Sequence, residues 1–169
     1  MELLIVIVVI GILAAISLVA YAGVQAKARD TIRTDDAAKI IRALEAHKVA
    51  KGTYPLTNAG PTPPCQAGYA CSLATDGSWL KGLVDEGFMN NPPKSPNNTA
   101  TSYYRYYRAA PGQYGCDVAI GGFYVLEVHG YERTANVPRS TYSADKRCAA
   151  TPWQSYAGAA YATYYGYEN

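Results

Sequence analysis

Residues 3–20 read Leu-Leu-Ile-Val-Ile-Val-Val-Ile-Gly-Ile-Leu-Ala-Ala-Ile-Ser-Leu-Val-Ala, and a single carboxylate, Glu2, stands in front of them. At about 1.5 Å of rise per residue, a helix of this length spans a bilayer. A charge at the edge of such a segment is costly to bury, so it marks a functional position that needs a partner. Two other readings of the run compete with a spanning or bundling helix. A secretory signal would have a shorter apolar core followed by a small-residue cut site. Ala20-Tyr21-Ala22 matches such a site only weakly, the core ahead of it is too long, and the helical pattern runs past it. A plain single-pass anchor is the other. For it, Lys27, Arg29 and Arg33 just beyond the run favour a cytoplasmic location for the rest of the chain.

The helical pattern continues beyond the apolar run. Residues 25–51 contain no proline or glycine, and Ala37, Ile40, Ile41 and Leu44 fall at helical spacing on one stripe. Lys27, Arg29, Asp30, Arg33, Asp35, Asp36, Lys39 and Arg42 fill much of the remaining surface, which reads as a solvated face with local ion pairs. Gly52 supplies a C-terminal cap and Pro55 prevents continuation. A helix over residues 2–51 is about 75 Å long, a stalk rather than an ordinary globular helix.

Beyond the helix, residues 56–77 form a loop rich in Pro, Gly and Thr, and residues 79–89 read as a short helix and turn. Residues 103–109 are β-rich. Residues 118–120 and 123–129 read as two strands joined by a hairpin turn at Gly121-Gly122. Residues 130–169 show no sustained period and read as a loop-rich region attached through Cys148. The four cysteines all lie beyond the apolar run, and their even number indicates an oxidising exterior and two disulfides. Cys65 and Cys71 share one loop, whereas Cys116 and Cys148 bracket the last strands. Of the three possible connectivities, the expected one is Cys65–Cys71 with Cys116–Cys148. Zinc ligation would need closer cysteine pairs and histidines at ligand spacing, and His47 and His129 are isolated.

From Glu2 through Ile16 the sequence resembles the N-terminus of type IV pilins and type II secretion pseudopilins. Their signature is Phe-Thr-Leu-Ile-Glu-Leu-Leu followed by an Ile/Val-rich helix with an early glycine. Glu2, Leu3, Leu4 and Gly11 occupy the matching positions. Family members carry a basic leader and a glycine before the cut, whereas Met1 alone precedes Glu2 in this sequence. Val19 stands where many members have a helix-bending proline. Gly52-Thr53-Tyr54-Pro55 resembles the turn that ends the pilin stalk, and residues 122–127 resemble the last core strand of the pilin sheet. Ser95-Pro96 replaces the pseudopilin Asp-Pro turn, and no acidic cluster comes after it to supply calcium ligands. The resemblance implies a helical filament of identical subunits, stored in the membrane and then extracted. It also implies a prepilin peptidase and a pilus assembly machinery as partners. Glu2 would neutralise the N-terminal amine of an adjacent subunit.

Catalytic chemistry is not visible. There is no Gly-x-Ser-x-Gly, Cys-x-x-Cys, His-Glu-x-x-His or phosphate loop, and two histidines leave little for acid–base work. The sequence points to no enzyme, no cofactor and no metal. Its unusual resource is tyrosine, with 16 against two Phe and two Trp. In Tyr103-Tyr104-Arg105-Tyr106-Tyr107-Arg108 an extended chain puts Tyr103, Arg105 and Tyr107 on one face and Tyr104, Tyr106 and Arg108 on the other. Rings beside guanidinium groups hold single-stranded nucleic acid in some proteins. The competing reading is an amphipathic strand with cross-strand aromatic pairs. Tyr161, Tyr164, Tyr165 and Tyr167 read as a tail that either binds a target, so that its deletion would leave fibres intact and change what they adhere to, or packs on the neighbouring subunit, so that its deletion would abolish fibres. Asn97-Asn98-Thr99 matches a glycosylation acceptor.

The expected fold is α+β, a long N-terminal helix packed on a small antiparallel sheet with a loop-rich C-terminal region. Residues 1–24 form the transmembrane or filament-core helix, 25–51 its amphipathic continuation, and 52–169 a disulfide-stapled head. The expected function is a structural subunit of an extracellular type IV pilus-like filament serving adhesion, motility or DNA uptake. A pseudopilin of a secretion or competence machine is the alternative within the family. A monomeric membrane-anchored binding domain is the alternative outside it.

Overall fold

The computed structural model describes residues 2–58, 65, 68–76, 78–133, 137–138, 148 and 160–169. One helix, α1 (Glu2–Lys51), runs for 50 residues. It ends where the sequence predicts. Gly52 adopts φ +79°, and its N–H donates to the Lys48 carbonyl at 2.8 Å, closing the last turn.

The head is built on a four-stranded antiparallel sheet in the order β1 (Ala70–Cys71), β2 (Tyr104–Ala109), β3 (Phe123–His129), β4 (Tyr161–Tyr167). A short helix, α2 (Lys81–Asp85), buries Leu83 and sits beside the end of α1. The α+β class read from the sequence is the observed one. Register determines which side chains face the stalk. Tyr104 lies opposite Val128, and Tyr106 opposite Leu126, which lies opposite Tyr164. These residues, with Tyr124 and Ala162, form one core with Ala37, Ile40 and Leu44 of α1, against which Ile41 also packs. The alternation of side chains along a strand then sends Tyr107, Phe123, Val125 and Tyr165 to the opposite face, where they form a second core with Cys116 and Ile120.

Three sequence expectations are corrected here. Val118–Ile120 is a 3-10 turn rather than a strand, because the Asp117 carboxylate accepts the Ala119 N–H at 2.9 Å and caps it. Gly121-Gly122 therefore leads out of this turn into β3 and does not close a hairpin. The chain passes so near β2 there that a Cβ on Gly122 would lie 2.8 Å from the Ala109 carbonyl oxygen. Finally, β3 is not the last core strand, since Tyr161–Tyr167, read as a loop-like tail, pairs with all seven of its residues.

Candidate functional site

Along α1 the chain changes character between Ile16 and Asp30. The large apolar side chains from Leu3 to Ile16 are each 49–79% exposed, and none of this stretch is covered by the rest of the described chain. Leu3, Leu4 and Gly11 all belong to this bare surface. A Cβ on Gly11 would meet nothing within 4 Å, so no contact inside the subunit requires glycine there. The Glu2 backbone opens the helix, and its side chain lies outside the described residues. Apolar patches beyond a few hundred Å² mark a membrane or protein interaction site. This helix is long and apolar enough to cross a membrane.

At Asp30 the head takes hold of the helix. Arg33 is fully buried, donating from Nη1 to Asp30 Oδ1 at 3.0 Å and from Nη2 to Ser102 Oγ at 3.0 Å. The loop after β3 arrives on the other side of Asp30. Glu132 N–H donates to Oδ1 at 2.9 Å and Arg133 N–H to Oδ2 at 3.1 Å. Arg29 grips Glu132 with two bonds of 2.6 Å, which holds that carboxyl below the usual range. The expectation of a solvated charged face therefore fails at Asp30, Arg33 and Asp36, which are buried. It holds for Lys39, whose exposed ammonium pairs locally with Asp36. Spacing of i,i+3 and i,i+4 is legible in a sequence, but a loop about a hundred residues away that covers the pair is not.

The aromatic cluster on β2 is divided between the two faces as expected, and both faces are occupied from within the chain. Toward α1, Tyr104 Oη donates to Asp36 at 3.1 Å and Tyr106 Oη to the Pro55 carbonyl at 2.7 Å. Burial first, and for Tyr104 the neighbouring carboxylate, push both phenols well above their ordinary pKa. On the outer face, Arg105 bonds Glu127 through Nε and Nη2, each at 2.7 Å, and lies over the Tyr69 ring. Tyr107 Oη takes hydrogen bonds from Gln113 and Tyr114. Arg108, on the face of Tyr104 and Tyr106, is engaged by Glu168 at 2.8 Å. Both guanidinium groups of the cluster are thus engaged by carboxylates of the same chain.

Ring stacking closes the stalk end of the sheet. His129 lies between Tyr103 and Tyr161, with centroids 4.5 Å away on each side and planes within 18° of parallel. Its Nε2 is 2.8 Å from Glu127 Oε2. Glu127 is fully buried. Burial opposes its charge, but His129 and Arg105 outweigh that and keep the carboxyl below its ordinary range. His47 is buried too, with Nδ1 2.7 Å from the Thr53 carbonyl oxygen and its ring against Phe88.

Tyr161, Tyr164, Tyr165 and Tyr167 are components of β4 rather than of a free tail, and Tyr164 and Tyr165 are buried. The residue after them is a hub that sequence reading missed. Glu168 accepts the N–H groups of Tyr54 and Gly122 at 3.0 and 2.8 Å and the Arg108 guanidinium at 2.8 Å. Burial works against its charge, and these donors still hold its carboxyl below the usual range. A carboxylate near a chain end gives no sequence signal of this kind. The disulfides are Cys65–Cys71 and Cys116–Cys148, the expected pairing. Asn97 is exposed, while Asn98 beside it bonds Ser72. Among the described residues no group of three His, Cys, Asp or Glu is placed to hold a metal ion. No family model, curated protein or solved structure matches this chain.

Proposed function

We propose that this protein is a structural subunit of a type IV pilin-like filament, held in a membrane by the first half of α1 and assembled by bundling that half with its copies. The carrying observation is the sharp division of one continuous helix. Residues 3–16 are bare and apolar, while the stretch from Asp30 to Leu44 is clamped and buried by the head. Such a helix gives the head an adhesive shaft. In a lipid bilayer the shaft is satisfied by acyl chains, and outside it by identical shafts that exclude water. The Glu2-Leu3-Leu4 opening and Gly11 match the family signature at the positions that would meet in such a bundle.

Glu2→Leu tests the reading. An unpaired charge inside an apolar bundle costs several kcal/mol, so the family pairing predicts a specific requirement for the carboxylate. The variant is expected to remain membrane-associated while fibres seen by electron microscopy are severely reduced. Normal fibres from Glu2→Leu would reject the pairing. The absence of fibres from cells making the parent protein would instead favour a monomeric anchored domain.

A further inference from the structure

At the level where the apolar helix ends stand two cations, Lys27 on α1 and Arg133 on the loop after β3, that have no acidic partner among the described residues. Both are exposed. Their neighbours cancel, Arg29 against Glu132 and Arg33 against Asp30. Lys27 is three residues past Val24, about 4.5 Å along the helix, and Asp30 is about 9 Å past it. Asp30 receives the Arg133 N–H directly, which brings this head residue to the same level although it lies 103 positions later. Tyr21, 64% exposed, stands one turn below Val24. An amphipathic ring at that depth is the residue type that settles among lipid headgroups.

We propose that Tyr21, Lys27 and Arg133 form a collar that docks the head on acidic phospholipid headgroups at the end of the span. The inference rests on the membrane reading above and adds a lipid class and a resting position to it. Both basic positions fall within about one Debye length of the headgroup layer, where attraction to acidic lipid is not screened away. Because Arg133 is positioned through its backbone and not its side chain, the collar exists only while the Asp30 clamp is closed. Two basic residues together favour the docked over the undocked head by about 30-fold on an acidic surface.

The full chain is placed in lipid nanodiscs of phosphatidylcholine alone, or of phosphatidylcholine with phosphatidylglycerol, each containing a trace of lipid with a gadolinium chelate on its headgroup. Amide signals of residues 130–133 are expected to broaden several-fold more in the acidic discs. The difference should vanish in K27Q/R133Q, which keeps the Arg133 backbone N–H, and at half-molar salt. Equal broadening in both lipids, or an unchanged difference in K27Q/R133Q, overturns the proposal. So does a K27Q/R133Q variant that loses fibres although the parent showed no lipid dependence, since the cations would then face a second copy of the chain. Alkaline carbonate extraction from vesicles of the same lipids separates the two readings. Retention in both lipids together with equal amide broadening rejects the collar and leaves the anchor standing, whereas release from both lipids rejects both.

Discussion

The two carboxylate oxygens of Asp30 serve, among the described residues, the Arg33 guanidinium and the N–H groups of Glu132 and Arg133. An asparagine there keeps the shape but replaces one acceptor with a donor facing an N–H, and leaves buried Arg33 with a weaker partner. Breaking a buried pair in this way costs about 3–5 kcal/mol. Asp30→Asn should lower the urea midpoint of the head accordingly, whereas Asp35→Asn, at an exposed position, should leave it within about 0.5 kcal/mol. Glu127 and Glu168 add a pH dependence of defined sign. Both are held below the ordinary carboxyl range when folded. Their stabilisation is therefore fully present above the unfolded value, about 4.3, and is lost as pH falls through the lower folded values. Urea midpoints measured between neutral pH and about pH 3 should fall in the acid limb, and Glu168→Gln should make that fall shallower while lowering the neutral-pH midpoint.

At the level of elements, β4 changes what the last nine residues do. It pairs along the full length of β3, places Ala162 and Tyr164 in the core under the helix, and is followed by the Glu168 hub. Deleting residues 161–169 should thus not give fibres with altered adhesion, as a tail would. It strips β3 of one of its two ladders, opens both cores, and is expected to abolish the cooperative thermal transition seen by near-UV circular dichroism. A truncated protein that melts like the parent would show that β4 is dispensable. The stalk and β4 also show what a sequence displays. The Ala37-Ile40-Leu44 stripe repeats at the helical period, and β3 is a run of branched and aromatic residues, so each identifies itself locally. The β4 segment Tyr-Ala-Thr-Tyr-Tyr-Gly-Tyr holds small and aromatic residues without alternating polarity, because both of its faces are covered. Its glycine is required by packing across the sheet, where a Cβ on Gly166 would run into the Tyr124 ring and lie 2.7 Å from Tyr54 Oη. Demands of that kind arise between segments distant in sequence and leave no local pattern.

Taken as one body, the molecule has a head that completes its own core and a shaft that completes none. Every buried cluster of α1 begins at Asp30 or later among the described residues, and the exposed side chains of residues 3–16 contribute nothing to the head. Removing residues 1–24 should then leave the head's thermal midpoint within about 2–4 °C of the parent protein in detergent. The fragment retains the Asp30 clamp, the Ala37–Leu44 stripe, the sheet and both disulfides. Some loss is expected at the new helix start, because nucleating a free end near Gln25 is unfavourable and fraying reaches only the first turn or so. The same fragment should be monomeric by analytical ultracentrifugation and form no fibres, since the apolar area that excludes water is gone. Fibres from the fragment would move the assembly contact into the head. A fragment that fails to fold would mean that the bare half of the helix carries stability that its exposure in the single subunit conceals.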